Sequence, residues 1–113
     1  MHEYSIVQAL VDRVEEEARA RNAVAVRHLT VRIGELSGVE VELLRTAYLT
    51  FREKTMCEQA EIEITYVPAA WACRACGTDI PRGESLQCAA CGGAAALKSG
   101  DEILLERIEL EVA

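Results

Sequence analysis

Cys73-Arg74-Ala75-Cys76-Gly77, answered by Cys88-Ala89-Ala90-Cys91-Gly92, is the stretch on which the architecture turns. Two Cys-x-x-Cys pairs deliver four sulfurs to one point, and tetrahedral Zn²⁺ takes four thiolates at this kind of spacing. The glycine directly after each pair suits a tight knuckle, because a residue without Cβ takes positive φ at little cost. Gly93 is expected to loosen the second knuckle further. The donor set alone leaves three options: a structural Zn(Cys)₄ knot, an iron site of the rubredoxin type, or two disulfides. The disulfides are the weakest option, since no secretory leader precedes the chain and cytosolic thiols stay reduced. Cys57 has no cysteine neighbour and reads as a half-buried structural thiol.

The flanks of the cysteine stretch say what kind of module it is. Residues 72–97 hold only Ile80, Leu86 and Leu97 as large apolar side chains, too few for a core, so the metal must organise them. Before them Ile62, Ile64 and Tyr66 alternate up to Pro68, and after them Ile108, Leu110 and Val112 alternate with Arg107, Glu109 and Glu111. Both runs read as half-buried strands. The cysteine segment is therefore expected as an insertion (residues 72–97) between two strands of a domain made of residues 1–71 and 98–113. Further out, Val7, Leu10, Val11, Val14 and Ala18 form a helical stripe, with Ser5 and Gln8 as a capping box and Asn22 as the stop. Leu29, Val31 and Ile33 alternate with His28, Thr30 and Arg32 in a first strand ending near Gly34. Leu44, Ala47, Tyr48 and Phe51 make a second stripe, with Ser37 and Glu40 as its capping box and Leu36 stapled on Val41. The order predicts an α+β fold: a small mixed three-stranded sheet covered by two helices, with an inserted Cys₄ zinc-ribbon-like subdomain. The first two strands, bridged by a helix, should run parallel with a right-handed crossover.

Composition narrows the function. The chain has 113 residues and a net charge of −7, so it lacks the cationic balance that nucleic-acid binding needs, and no nucleic-acid partner is expected. Aromatics are only 4%, which leaves aliphatic side chains to fill the core. No run approaches the roughly 20 apolar residues of a membrane span, and nothing reads as a targeting peptide, which points to a cytoplasmic protein without a membrane partner. The acidic run Glu15-Glu16-Glu17 is read as a solvated face, with Glu15–Arg19 and Glu17–Arg21 pairing across a turn. There is no phosphate-binding Gly-x-x-x-x-Gly-Lys-[Ser/Thr] loop, no paired catalytic nucleophile, and His28 falls on the polar face of its strand. An enzyme is not expected.

His2 is the unusual residue. A bulky second residue preserves the initiator methionine, so the chain is expected to start Met1-His2-Glu3. The Met1 amine, the His2 amide nitrogen and the His2 imidazole can then close fused chelate rings on one ion, with a Glu3 oxygen nearby. Such nitrogen-rich donor sets suit Ni²⁺ or Cu²⁺. The plain alternative is a frayed terminus whose histidine does nothing.

Met1-His2-Glu3, Arg32-Ile33-Gly34-Glu35-Leu36-Ser37-Gly38 and the two Cys-x-x-Cys-Gly knuckles together resemble the hydrogenase maturation nickel chaperones, the HypA/HybF family. The resemblance covers the chain in order. It implies a metallochaperone holding transferable Ni(II) at His2, Met1 and Glu3, and structural Zn(II) at Cys73, Cys76, Cys88 and Cys91. The implied partners are a GTPase hydrogenase maturation protein and the [NiFe]-hydrogenase large subunit. Relatives that also serve urease carry histidines beside these cysteines; here the neighbours are Arg74, Gly77, Gly92 and Gly93. The other functional classes are a rubredoxin-like carrier and a zinc-ribbon binding module. Oligomeric state is left open, a homodimer among the options.

Overall fold

The computed structural model describes residues 2–83 and 85–113. Helix α1 (Glu3–Ala20) is followed by β1 (Ala23–Gly34), α2 (Val41–Phe51) and β2 (Glu61–Val67). Then come β3 (Ala70–Cys73), β4 (Asp79–Ile80), β5 (Ala95–Ser99) and β6 (Ile103–Val112). Two separate three-stranded sheets result, one ordered β2-β1-β6 and the other β4-β3-β5. The chain is elongated, 56 × 26 × 16 Å.

In the larger sheet β1 runs parallel to β2 and antiparallel to β6. Val7, Leu10, Val11, Val14 and Ala18 of α1 are all buried, as their spacing requires. They meet Val26, Leu29, Val31 and Ile33 of β1 and Leu44 and Tyr48 of α2 in one aliphatic core. Tyr48 can be fully buried because its hydroxyl donates to the Ala60 carbonyl at 2.8 Å. Burial pushes its phenol well above the ordinary tyrosine range. Cys57 belongs to the same core and is fully buried, not half-buried. Burial, and then the Glu15 carboxylate, push its thiol up to about 11, which makes it inert at neutral pH.

Both expected capping boxes are replaced. Helix α1 begins at Glu3, so Ser5 already lies inside it, and the N-cap His2 makes no side-chain cap. Helix α2 begins at Val41 with Glu40 at its N-cap. Ser37 instead closes a local turn, its Oγ accepting the Val39 N–H at 3.2 Å, while Leu36 stays exposed. The start of α2 is held from the other helix: the Glu3 carboxylate accepts the Glu40 N–H at 3.1 Å. A carboxylate at a helix N-terminus also complements the helix dipole. Asn22 stops α1 as expected, in the left-handed conformation with φ 54°. The acidic run is not simply a solvated face. Glu15 accepts the Met56 N–H at 3.0 Å, while Glu17 pairs with both Arg13 (3.3 Å) and Arg21 (3.8 Å).

The second sheet surrounds the cysteines and reaches outward to Ala70 and Ser99. The Gly34-to-Gly38 stretch fastens it to the first. Glu35 accepts the Ala69 N–H at 2.8 Å and receives both guanidinium nitrogens of Arg82, at 2.7 and 2.5 Å. That fork, then the Ala69 amide, holds the Glu35 carboxyl down at about 2. Backbone bonds from Gly34 N–H to Glu102 O (2.8 Å), Glu35 N–H to Val67 O (2.8 Å) and Leu36 N–H to Gly100 O (2.6 Å) complete the joint. A Cβ on Gly34 would stand 2.2 Å from the Gly100 carbonyl carbon, so only glycine allows the two backbones this close.

Candidate metal centre

Each cysteine pair is a short knuckle closed by its own backbone. Gly77 N–H donates to the Cys73 carbonyl at 2.9 Å, and Gly92 N–H donates to the Cys88 carbonyl at 2.8 Å. Gly77 and Gly92 sit at φ 77° and 74°, the positive values that the knuckles were expected to need. Strand β3 supplies Cys73, which pairs in register with Ala95 of β5, so the two knuckles face each other across the small sheet.

The four sulfurs all lie within 4.8 Å of one another. Cys73 and Cys91 Sγ are 3.4 Å apart, and Cys76 Sγ is 3.7 Å from both Cys88 and Cys91 Sγ. A Zn–S bond of about 2.3 Å sets a tetrahedral S···S edge of about 3.8 Å. These spacings are close to that edge, and the residues fit a four-coordinate thiolate site. Cys73 and Cys88 face inward, while Cys76 and Cys91 are exposed. The small cluster around Ile80, Trp71 and Ala95 includes Cys73 and Cys88, so two of the three buried residues of this module's core belong to the cysteine group.

The thiols are not equivalent. The Cys76 N–H, 3.4 Å from Cys73 Sγ, lowers the Cys73 thiol. Hydrogen bonding by Thr78, whose Oγ1 is 3.1 Å away, brings Cys76 down to about 6. At Cys91 the Gly93 amide pulls the thiol down, but proton sharing with Cys73, Cys76 and Cys88 outweighs it and leaves the thiol at about 12. Metal binding here must displace protons. Gly93 does more than loosen a knuckle: a Cβ there would stand 2.8 Å from Cys73 Sγ and 3.3 Å from Cys91 Sγ.

At the other end of the chain, His2 is exposed at the N-cap of α1, its carbonyl accepting the Ile6 N–H at 3.2 Å. Met1 lies outside the described residues. Glu3 carries the Glu40 N–H on one oxygen, and that bond is the first cause of its lowered pKa. Among the described residues, the four cysteines are the group that converges as metal ligands; His2 and Glu3 are not drawn into such a cluster. The structure adds Glu40 to this end, a residue that sequence reading used only as a capping partner. Its proximity to Glu3 bridges residues far apart in the chain, so no local motif reveals it. His28 is only partly exposed, with Nδ1 3.3 Å from the Glu109 carboxylate but outside hydrogen-bonding geometry.

Comparison with known proteins gives these features a context. The family profile described as "Hydrogenase/urease nickel incorporation, metallochaperone, hypA" matches residues 1–110. The chain is 40% identical to the hydrogenase maturation factor HypA of Shewanella halifaxensis over 115 residues, covering 100% of both chains. It is 40% identical to that of Aquifex aeolicus over 114 residues, covering 99% of each. Among solved structures, the Ni metallochaperone HypA from Helicobacter pylori is similar with a TM-score of 0.75 and 28% identity, with full coverage of both chains.

Proposed function

Since the chain belongs to the HypA family of nickel-incorporation metallochaperones, which are not enzymes, we propose that it carries nickel at its amino terminus and holds zinc in its cysteine knot. Nickel is the cargo, bound by the Met1 amine, His2 and Glu3, and delivered to the [NiFe]-hydrogenase large subunit. The cytoplasm is where this delivery takes place, with a GTPase maturation protein supplying the nucleotide chemistry for which this chain has no phosphate-binding loop. Cys73, Cys76, Cys88 and Cys91 hold zinc as a permanent structural ion. The nickel unit is residues 1–71 with 98–113, and the zinc unit residues 72–97, with the small sheet straddling both boundaries.

One contrast carries the reading. The His2 imidazole stands exposed at the N-cap of α1 with Glu3 beside it, while four sulfurs converge between two knuckles closed by their own backbone. Donors at a chain end rearrange and let an ion go; thiolates locked by backbone bonds do not. The test is nickel titration of the untagged chain, the His2→Ala variant and a chain extended at its amino terminus, with zinc measured alongside. The expected outcome is one retained zinc throughout, and tight nickel binding only in the untagged wild type. Unchanged nickel affinity in His2→Ala would sink the amino-terminal site, and unchanged affinity in the extended chain would remove the amine from it.

A further inference from the structure

The first turn of α1 is tied to both ends of α2. Glu3 accepts the Glu40 N–H at the start of α2, and the next residue, Tyr4, sets its ring against Phe51, the last residue of that helix. The two rings meet edge to face, 5.4 Å between centroids and 80° between planes. The ring quadrupoles favour such a pair beyond the area it covers. Its two members differ in footing: Phe51 packs against the main core, while Tyr4 is 52% exposed. Within α1 itself the hold on this end is slight. The first amides of a helix have no intrahelical acceptor, and His2 joins the ladder through its carbonyl, which accepts the Ile6 N–H at 3.2 Å.

We propose that Tyr4 is a positioning residue for nickel: its ring, braced on Phe51, fixes the first turn of α1 so that Glu3 is presented beside the His2 chelate. On the amino-terminal nickel reading, on which this role rests, the Met1 amine, the His2 amide nitrogen and the His2 imidazole close their rings within one short stretch of backbone. Those rings need nothing from the helix. Helix α1 begins at Glu3, so the amide that the chelate would deprotonate is one that its ladder does not use. The Glu3 carboxylate differs, because it stands on the helical side of that boundary. Its direction relative to His2 depends on the first turn being formed. Two contacts set it: the Glu40 N–H orients the carboxylate, and the Tyr4 ring holds the backbone that carries it. A turn that frays offers the full donor set for only part of the time, and the apparent dissociation constant rises as the inverse of that fraction. The nitrogens stay on the terminal side of the boundary, where they can rearrange when the ion leaves.

Nickel affinity by chelator competition, together with the nickel absorption spectrum, would be measured on the untagged, zinc-loaded full chain. The samples are wild type, Tyr4→Phe, Tyr4→Ala, Glu3→Ala, the Tyr4→Ala/Glu3→Ala double variant and His2→Ala. Tyr4→Phe keeps the ring and should bind nickel like wild type. Tyr4→Ala should weaken binding by about three- to tenfold, the range of an edge-on aromatic pair. Its nickel spectrum should shift towards that of Glu3→Ala, a change that general destabilisation would not produce. In the Glu3→Ala background, removing the Tyr4 ring should cost nothing further, because the ring acts through Glu3. Wild-type affinity in Tyr4→Ala overturns the proposal, as does a Tyr4→Phe loss equal to that of Tyr4→Ala, or additive losses in the double variant. His2→Ala separates the two readings. If it loses nickel while Tyr4→Ala keeps it, the amino-terminal site stands and the positioning role falls; if His2→Ala keeps nickel, both fall.

Discussion

Replacing Gly93 by alanine tests the metal centre more sharply than removing a ligand, because it leaves every sulfur in place. The backbone at Gly93 does not adopt positive φ, so alanine meets no conformational strain there. The new methyl would instead lie 2.8 Å from Cys73 Sγ, 3.3 Å from Cys91 Sγ and 3.3 Å from the Ala75 methyl. Carbon and sulfur in ordinary contact need roughly 3.5–4 Å, so the Cys73 sulfur must retreat by about 1 Å. A free thiol can make that move by swinging about its side-chain bonds. A metal-bound thiolate cannot, since Zn–S distances hold to within about 0.2 Å of 2.3 Å. The substitution should therefore act on the loaded state. Zinc affinity, measured by competition against a chromophoric chelator, should fall by about 10–100-fold or more, the range seen when the support of a metal ligand is disturbed. Far-UV helix signal should stay the same, because α1 and α2 contribute to a different core. Wild-type zinc affinity in Gly93→Ala would show that the sulfurs do not hold the ion in this arrangement.

Three further outcomes are expected. Cys73→Ser should lose the zinc and disorder roughly residues 72–97, while helix content persists; loss of most helix signal would refute the separateness of the two cores. Gly34→Ala, which drives a methyl into the Gly100 backbone, should destabilise the chain by about 1–3 kcal/mol or more by denaturant midpoint, and an unchanged midpoint would refute the close approach. For the Glu35–Arg82 fork, the folded carboxyl lies at about 2 against an ordinary 4.5, so its contribution is complete above about 4.5 and disappears as pH falls towards 2. Glu35→Gln should abolish that acid step in the protection of the Ala69 amide from exchange, and an unaltered profile would place the step elsewhere.

Much of this was legible because its physics is local. The five buried positions of α1 follow from helical spacing, and the four cysteines from the chemistry of one ion. The parallel pairing of β1 with β2 follows from the helix between them. The caps were misread for a specific reason. Ser5 and Ser37 each have the right partner three residues on, but tertiary contacts supplied other solutions. The start of α1 moved out to His2, and α2 took its carboxylate from Glu3 on the other helix. Cys57 was misjudged because its burial comes from joining the core built by α1, β1 and α2, a tertiary contact that its own loop does not reveal.

The second sheet was missed for a different reason, and the reason explains the Gly-Glu-Leu-Ser-Gly stretch as well. Strands β3, β4 and β5 are two to five residues long, too short for alternation to reveal, and they lie where the two cysteine knuckles bring distant parts of the chain together. Such a module has no apolar face large enough to dock by hydrophobic burial alone. It must be joined to the larger sheet by directional contacts, and those need a backbone free to approach and a carboxylate able to reach. Gly34 provides the first and Glu35 the second, accepting from Ala69 in the link between β2 and β3 and from Arg82 inside the cysteine module. The sequence presents these residues as a loop between a strand and a helix. Their partners lie 34 and 47 positions further along the chain, so their role as the joint could only be seen once the two modules were placed side by side.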